Sequence, residues 1–180
     1  IETRPIKGTI SRDQNVVADL ANKNKLYHSE KDRAELLMIV DLERNDLGRI
    51  AVDGTVKVDE LFLVESYATV HHLVASITAE IAIDIDIIDC IKNTFPGGSI
   101  TGAPKIRAME IISELENFKR NIYGGGIGFL HYNKNMQIAI IIRTAFFGKG
   151  DDNNVKNVFI QSGAGIVNDS IKENEYNEIC

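Results

Sequence analysis

The pattern of apolar and polar residues predicts an α+β protein with largely antiparallel sheets flanked by helices. Strand-like and helix-like segments come in blocks rather than in strict βα alternation. The last third holds three β-rich runs joined by short polar clusters, which reads as a three-strand meander. The helical stretches carry their own start and stop signals.

In chain order, Glu2 to Ile10 reads as extended, with Pro5 fixing one φ angle and Gly8 ending the run. A short helix is expected over Asn15 to Asn24. A stronger one opens at Ser29, whose hydroxyl can cap while Asp32 sits at capping-box spacing, and it runs to about Leu47 with Gly48 as its stop. Thr55 to Val58 follows an Asp53-Gly54 turn signal. Leu61 to Thr69 and Val70 to Ala79 are rich in β-branched and aromatic residues. Ile83 to Asn93 reads as a helix. The loop Pro96 to Ala103 then feeds another helix that starts near Pro104, a favoured first-turn residue, and ends around Asn117. Gly124 to Tyr132, Met136 to Phe147 and Val155 to Ile160 make the meander, with turns at 133–135 and 151–154. A closing helix begins near Ser170.

With 180 residues the chain can bury a sizeable core. A net charge of −6 argues against nucleic acid and anionic membranes as partners, because both require a basic footprint. Cys90 and Cys180 make no disulfide framework, so a reducing, cytoplasmic setting is expected. The most apolar run, Ile138 to Phe147, is interrupted by Arg143 and is too short to cross a bilayer. No secretory signal is recognisable. The chain opens at Ile1 without an initiator Met and enters at once into a strand, so it is expected to be a piece of a longer domain.

Several constellations bear on chemistry. Asp32 with Glu35, and Glu175 with Glu178, each lie three apart on a helix and so share a face. Hard oxygens so placed suit Mg²⁺, and the spacing fits solvated charges equally. The loop Pro96 to Lys105, with Ser99 inside it, has three glycines and leads into a helix N-terminus. It suits an anion or a simple tight turn, and it lacks Walker A spacing. Gln161 to Gly165 lacks the dinucleotide fingerprint and fits close approach by a ligand or another strand. Arg143 interrupts an apolar run, where it must pair with a core carboxylate or clamp a ligand carboxylate. His71 and His72 face opposite sides of a strand, one buried and one exposed. The Arg44-Asn45-Asp46 cluster reads as capping and ion pairing. Lys7 is either an edge charge or, if burial lowers its pKa, a nucleophile.

Together these segments form an ordered set: Pro5-Ile6-Lys7-Gly8-Thr9, Ala34-Glu35 through Asp46-Leu47-Gly48, Val70-His71-His72-Leu73-Val74 and Gly98 to Lys105. Tyr123-Gly124-Gly125, Ile142-Arg143-Thr144, Gly163-Ala164-Gly165, Glu175 and Glu178 continue it. In this order the chain resembles the chorismate-using enzymes, whose members form aminodeoxychorismate, anthranilate, isochorismate or salicylate. The resemblance covers essentially the whole chain and implies the C-terminal portion of a single chorismate-binding domain. It implies that Glu35 and Glu178 hold Mg²⁺ directly, and that Asp32 and Glu175 act mostly through bound water. It further implies that Gly8, Thr9, Ser99, Tyr123, Arg143, Gly163, Ala164 and Gly165 contact chorismate, and that His72 stands near the reacting ring. A lysine at position 7 resembles the branch that aminates chorismate, where the amine attacks C2 and ammonia comes from a glutamine amidotransferase partner on the route to folate. Anthranilate-forming members usually carry Ala there. The family's general acid, a glutamate, would lie before Ile1. Two alternatives remain: an anthranilate-forming enzyme, and a piece that keeps the fold without turnover.

Overall fold

The computed structural model describes residues 1–149, 156–167 and 170–179. They fall into two compact units, Ile1–Glu116 and Asn117–Cys180.

The first unit is built on an antiparallel sheet of four strands: β1 (Glu2–Thr3), β2 (Ile6–Ser11), β3 (Lys57–Ser66) and β4 (Val70–Thr78). β4 is central. β3 pairs along one side, and β1 and β2 lie end to end along the other, in the register Thr3↔Ile77, Ile6↔Val74 and Thr9↔His72. Pro5 separates the two short strands because it has no N–H, yet its carbonyl still accepts from Ala75 N–H at 3.1 Å, so the edge continues through the gap. Gly8 does not end the extended run as expected. With φ at +82° it absorbs a register irregularity between Ile6 and Thr9, and the strand continues to Ser11.

The separate strands expected at Thr55 and Leu61 are one strand, β3, with irregularities at Val58–Leu63 and Phe62 at φ +60°. Phe62 sets its ring 3.9 Å from the guanidinium carbon of Arg33, a cation–π contact. The Asp53-Gly54 turn forms as read, with Thr55 N–H donating to Val52 O.

Two helices flank this sheet. In α1 (Val16–Tyr27) Asn15 is the N-cap rather than the first helical residue, accepting from the N–H groups of Val17 and Ala18. In α2 (Glu30–Gly48) Ser29 caps by accepting from Asp32 N–H at 3.3 Å. Its own N–H goes to Leu26 O, so only half of a capping box forms. Leu36, Ile39, Val40 and Leu47 recur at helical spacing and are buried, with Leu73, Val74, Ala75 and Ile77 of β4 buried as well. Each of these leucine, isoleucine and valine side chains contributes ~1.5–3 kcal/mol. β4 is buried at five successive positions, Leu73 to Ile77, so both of its faces are covered there.

Helix α3 (Ile87–Thr94) starts later than Ile83. Asp86 takes the cap position, with a reciprocal capping box to Asp89, and outcompetes the apolar periodicity upstream. Helix α4 (Lys105–Leu115) follows directly after Pro104.

In the second unit the expected meander is replaced by two hairpins. β5 (Gly126–Leu130) pairs with β6 (Met136–Ile140), and β7 (Ala145–Lys149) pairs with β8 (Lys156–Ile160). The strand expected over Met136 to Phe147 breaks after Ile140. Ile142 N–H turns back to Ile140 O, Arg143 has φ +50°, and Thr144 Oγ1 donates to Ile142 O. Arg143 therefore sits at a bend and not inside a strand. The turn expected at 151–154 lies outside the described residues. Helix α5 (Lys172–Ile179) closes the unit. No helix among the described residues is long and apolar enough to cross a membrane.

Candidate functional site

Strand β2 lays Lys7, Gly8 and Thr9 beside α2. Lys7 Nζ is 3.2 Å from Glu35 Oε2, with both side chains roughly three-quarters buried. Lys31, one turn before Glu35, reaches its other oxygen at 3.7 Å. A Cβ at Gly8 would fall 2.8 to 2.9 Å from Cγ and Cβ of Asp32 and from Cδ1 of Leu26. Only a glycine lets Asp32 lie against the strand there. The two carboxylates of α2 thus stand one turn apart directly over Lys7 and Gly8.

The paired histidines separate as strand geometry requires. His71 is 1% exposed, with Nδ1 2.8 Å from Ser66 Oγ and Nε2 3.1 Å from Asp19 Oδ1. The Arg12 guanidinium, at 2.8 and 2.9 Å from its two oxygens, holds the Asp19 carboxyl far below the usual carboxylate range, helped by Asp13 N–H. His72 faces the other way, half-buried, with Nδ1 2.8 Å from Thr9 Oγ1 and its ring 5.5 Å from that of Tyr67.

The glycine-rich loop is fastened to the end of α2. Asp46, 3% exposed, accepts from Gly98 N–H at 3.0 Å through one oxygen. Its other oxygen lies 2.5 Å from Lys105 Nζ, an ionic contact whose angles miss those of a hydrogen bond. Ser99 donates to Glu43, which also accepts from Thr3 Oγ1 at 2.8 Å. Burial pushes the Glu43 carboxyl above its ordinary value, with the Thr3 hydrogen bond opposing. Ile100 N–H bonds Gly97 O and Thr101 N–H bonds Gly98 O. The N–H groups of Gly98, Ile100 and Thr101 are therefore committed within the chain, as in a tight turn.

Glu43, Thr3 and Lys105 were not singled out by the sequence. The usable signal was Asp46, a carboxylate next to Leu47 on the apolar stripe of α2, where a charge requires a partner. Arg4 and Glu65, which form an ion pair, gave no signal at all.

In the second unit Gly163 lets Tyr123 approach the backbone: a Cβ there would meet the phenol oxygen at 2.9 Å. Arg120 stands with its guanidinium 5.9 Å from the Tyr123 ring centre. Arg143 and Gly165 are exposed and Ala164 is half-buried. Glu175 is half-buried on α5. Glu178 lies one turn further along that helix, and its side chain is outside the described residues. The first unit thus carries Lys7, Gly8, Thr9, Asp32, Glu35, His72 and Ser99, and the second carries the rest. Among the described residues no three metal-ligating side chains are already gathered.

The chain matches the model of the chorismate binding enzyme family over residues 1–180 and belongs to that family. It is similar to aminodeoxychorismate synthase component 1 of Escherichia coli K12, at 52% identity over 99% of this chain and 38% of that one. The corresponding protein of Bacillus subtilis 168 is 48% identical over 99% of this chain and 37% of its own length. Anthranilate synthase component 1 of Aquifex aeolicus VF5 is 46% identical over 99% and 35%. Among solved structures, anthranilate synthase component I of Streptococcus pneumoniae TIGR4 superposes with a TM-score of 0.77 at 38% identity, covering 98% of this chain and 37% of that one. The menaquinone-specific isochorismate synthase of Escherichia coli shares the fold, with a TM-score of 0.78 at 24% identity over 99% and 39%. The chain spans well under half the length of the relatives it matches.

Proposed function

We propose that this chain is the C-terminal portion of the chorismate-binding domain of a cytoplasmic aminodeoxychorismate synthase component 1. The reaction is the Mg²⁺-dependent amination of chorismate to 4-amino-4-deoxychorismate for folate synthesis, with ammonia from a glutamine amidotransferase partner. The observation that carries this reading is Lys7, held 3.2 Å from Glu35 with Asp32 packed on Gly8 beside it. Higher identity to aminodeoxychorismate synthases than to the anthranilate synthase of Aquifex aeolicus supports the same branch. The word "component" in the relatives' names supports a partner chain.

Asp32 and Glu35 are hard oxygen donors one turn apart, with no side chain at Gly8 between them and the strand, and they would hold a magnesium ion once Lys7 and Lys31 give up the Glu35 oxygens. By the family resemblance Glu175 and Glu178 would supply a second pair. The bound ion would act as a Lewis acid at a chorismate carboxylate. By the family resemblance Arg143 would engage the other carboxylate by its fork, and Tyr123, Ser99, Thr9, Gly8 and the Gly163-Ala164-Gly165 backbone would make further contacts. Lys7, having given up its ammonium proton, forms a bond from Nζ to C2 as the ring double bonds shift and the C4 hydroxyl leaves, taking up a proton as water. Ammonia then adds at C4 and the shift reverses, breaking the C2–Nζ bond and restoring the lysine. One awkward substitution becomes two easier ones. His72 stands by the reacting ring to hold or pass a proton.

The test is product identification with the full-length protein, chorismate, Mg²⁺ and ammonium. 4-Amino-4-deoxychorismate is expected from the wild type, and Lys7→Ala should lose turnover while still binding chorismate. Anthranilate with released pyruvate would support the rival reading, which the 46% identity to an anthranilate synthase keeps in play. Unchanged turnover in Lys7→Ala would remove the covalent step.

A further inference from the structure

The half-buried His72 imidazole has an arrangement of residues around it that the proposed reaction does not use. Glu65 on β3 is its direct cross-strand partner, so the two side chains share a face of the sheet. Tyr67, in the turn between β3 and β4, sets its ring 5.5 Å from the imidazole at an interplanar angle of 59°. Tyr67 is half exposed and adds little to the core, yet it is pinned at three points. Its N–H donates to Val70 O at 2.8 Å, its carbonyl accepts from Arg12 Nη1 at 2.8 Å, and its hydroxyl donates to Glu65 Oε2 at 2.6 Å. Glu65 is held in turn by an ion pair with Arg4, the residue before Pro5. The Tyr67 hydroxyl, followed by Arg4, keeps the Glu65 carboxyl below its ordinary range, so this acceptor stays ionised and available. On the far side Thr9 Oγ1 contacts His72 Nδ1 at 2.8 Å. The ring is thus fixed by a hydrogen bond at one nitrogen and by an anchored aromatic face at its flank.

We propose that Glu65 and Tyr67 are positioning residues that hold the His72 imidazole in the orientation in which it serves the reaction. This rests on the role given to His72 in the proposed function. Neither residue is among those assigned to chorismate contact. The brace runs from Arg4 through Glu65 and Tyr67 to the ring, so removing either middle member frees the imidazole to turn about its side-chain bonds.

The test uses the full-length protein with chorismate, Mg²⁺ and ammonium. Tyr67→Ala and Glu65→Ala are expected to lower kcat by about tenfold with KM little changed, the scale of losing one aromatic pair's worth of orientation. Tyr67→Phe keeps the ring but cuts its tie to Glu65, so its kcat should match that of Glu65→Ala. In protein carrying ¹³C-labelled histidine, the His72 ring signal, assigned by its loss in His72→Gln, should shift in Tyr67→Ala, and Tyr67→Phe and Glu65→Ala should move it alike. Unchanged kcat and an unmoved ring signal in both alanine variants would overturn the brace while leaving the role of His72 intact. Full turnover in His72→Gln would remove that role, and this proposal with it.

Discussion

Replacing Gly8 by alanine asks two separable things of the structure. The backbone at φ +82° lies in the left-handed region, which costs an L-residue ~1–2 kcal/mol. The added methyl must also occupy space 2.8 to 2.9 Å from three carbons of Asp32 and Leu26, and overpacking of this kind costs ~1–3 kcal/mol. The sum for Gly8→Ala is ~2–5 kcal/mol. Gly54 supplies the internal control, because its φ is +77° and nothing stands within 4 Å of where its Cβ would go. Gly54→Ala therefore carries the backbone cost alone, and the unfolded-state effect of the extra methyl is common to both. Urea denaturation of the two variants, compared at equal m-value, should place Gly8→Ala below Gly54→Ala by ~1–3 kcal/mol. The methyl also pushes Asp32 off the strand, so under the proposed metal set Mg²⁺ affinity measured by calorimetry should fall by roughly tenfold or more in Gly8→Ala alone. Equal destabilisation by the two substitutions would refute the steric argument.

Two further outcomes follow from the charges of the first unit. Asp46→Asn keeps an acceptor for Gly98 but strands the buried Lys105 ammonium, at an expected ~3–5 kcal/mol in denaturation, and adding Lys105→Met should recover much of it; a double variant no more stable than the single would sink this. Glu43 and Asp19 should tilt the stability–pH curve in opposite directions. Glu43, its folded pKa raised by burial, binds its proton more readily when folded. Its contribution is full below the ordinary glutamate value of about 4.3 and is lost as pH rises through the folded value, so Glu43→Gln should flatten that decline and stabilise at neutral pH. Asp19, its folded pKa lowered chiefly by Arg12, contributes above about 3.9 and loses that as pH falls, so Asp19→Asn should remove the acid-side loss. Melting temperatures across pH 2 to 8 check both, and slopes of the opposite sign would overturn the assignments.

What the sequence disclosed was mostly local. Ser29 as a cap, the Asp53-Gly54 turn and the opposed faces of His71 and His72 all follow from one stretch of chain and its period, and all stand in the structure. Arg143 was visible as an anomaly in an apolar run, but hydropathy does not register a single residue at φ +50°, so one long strand was expected where a bend and two hairpins occur. The onset of α3 was misplaced for a related reason: Asp86 offered a cap that periodicity does not weigh. Contacts between distant segments were less accessible still. That Gly98 and Lys105 share Asp46, or that Gly8 is shaped by Asp32, depends on how α2 lies on the sheet. Family resemblance marked Lys7 and Glu35 individually, whereas their 3.2 Å ion pair needed coordinates.

The fastening of the glycine-rich loop has a consequence for how the protein breathes. One carboxylate, that of Asp46, grips the loop near its start through Gly98 and again at Lys105, where the next helix begins. A segment clipped at both ends by a single group cannot peel from one side. Releasing either grip leaves a buried charge half-satisfied, so the segment between them opens as a unit or stays closed. Hydrogen exchange at Gly98 and at the first turn of α4 should then report one shared opening event.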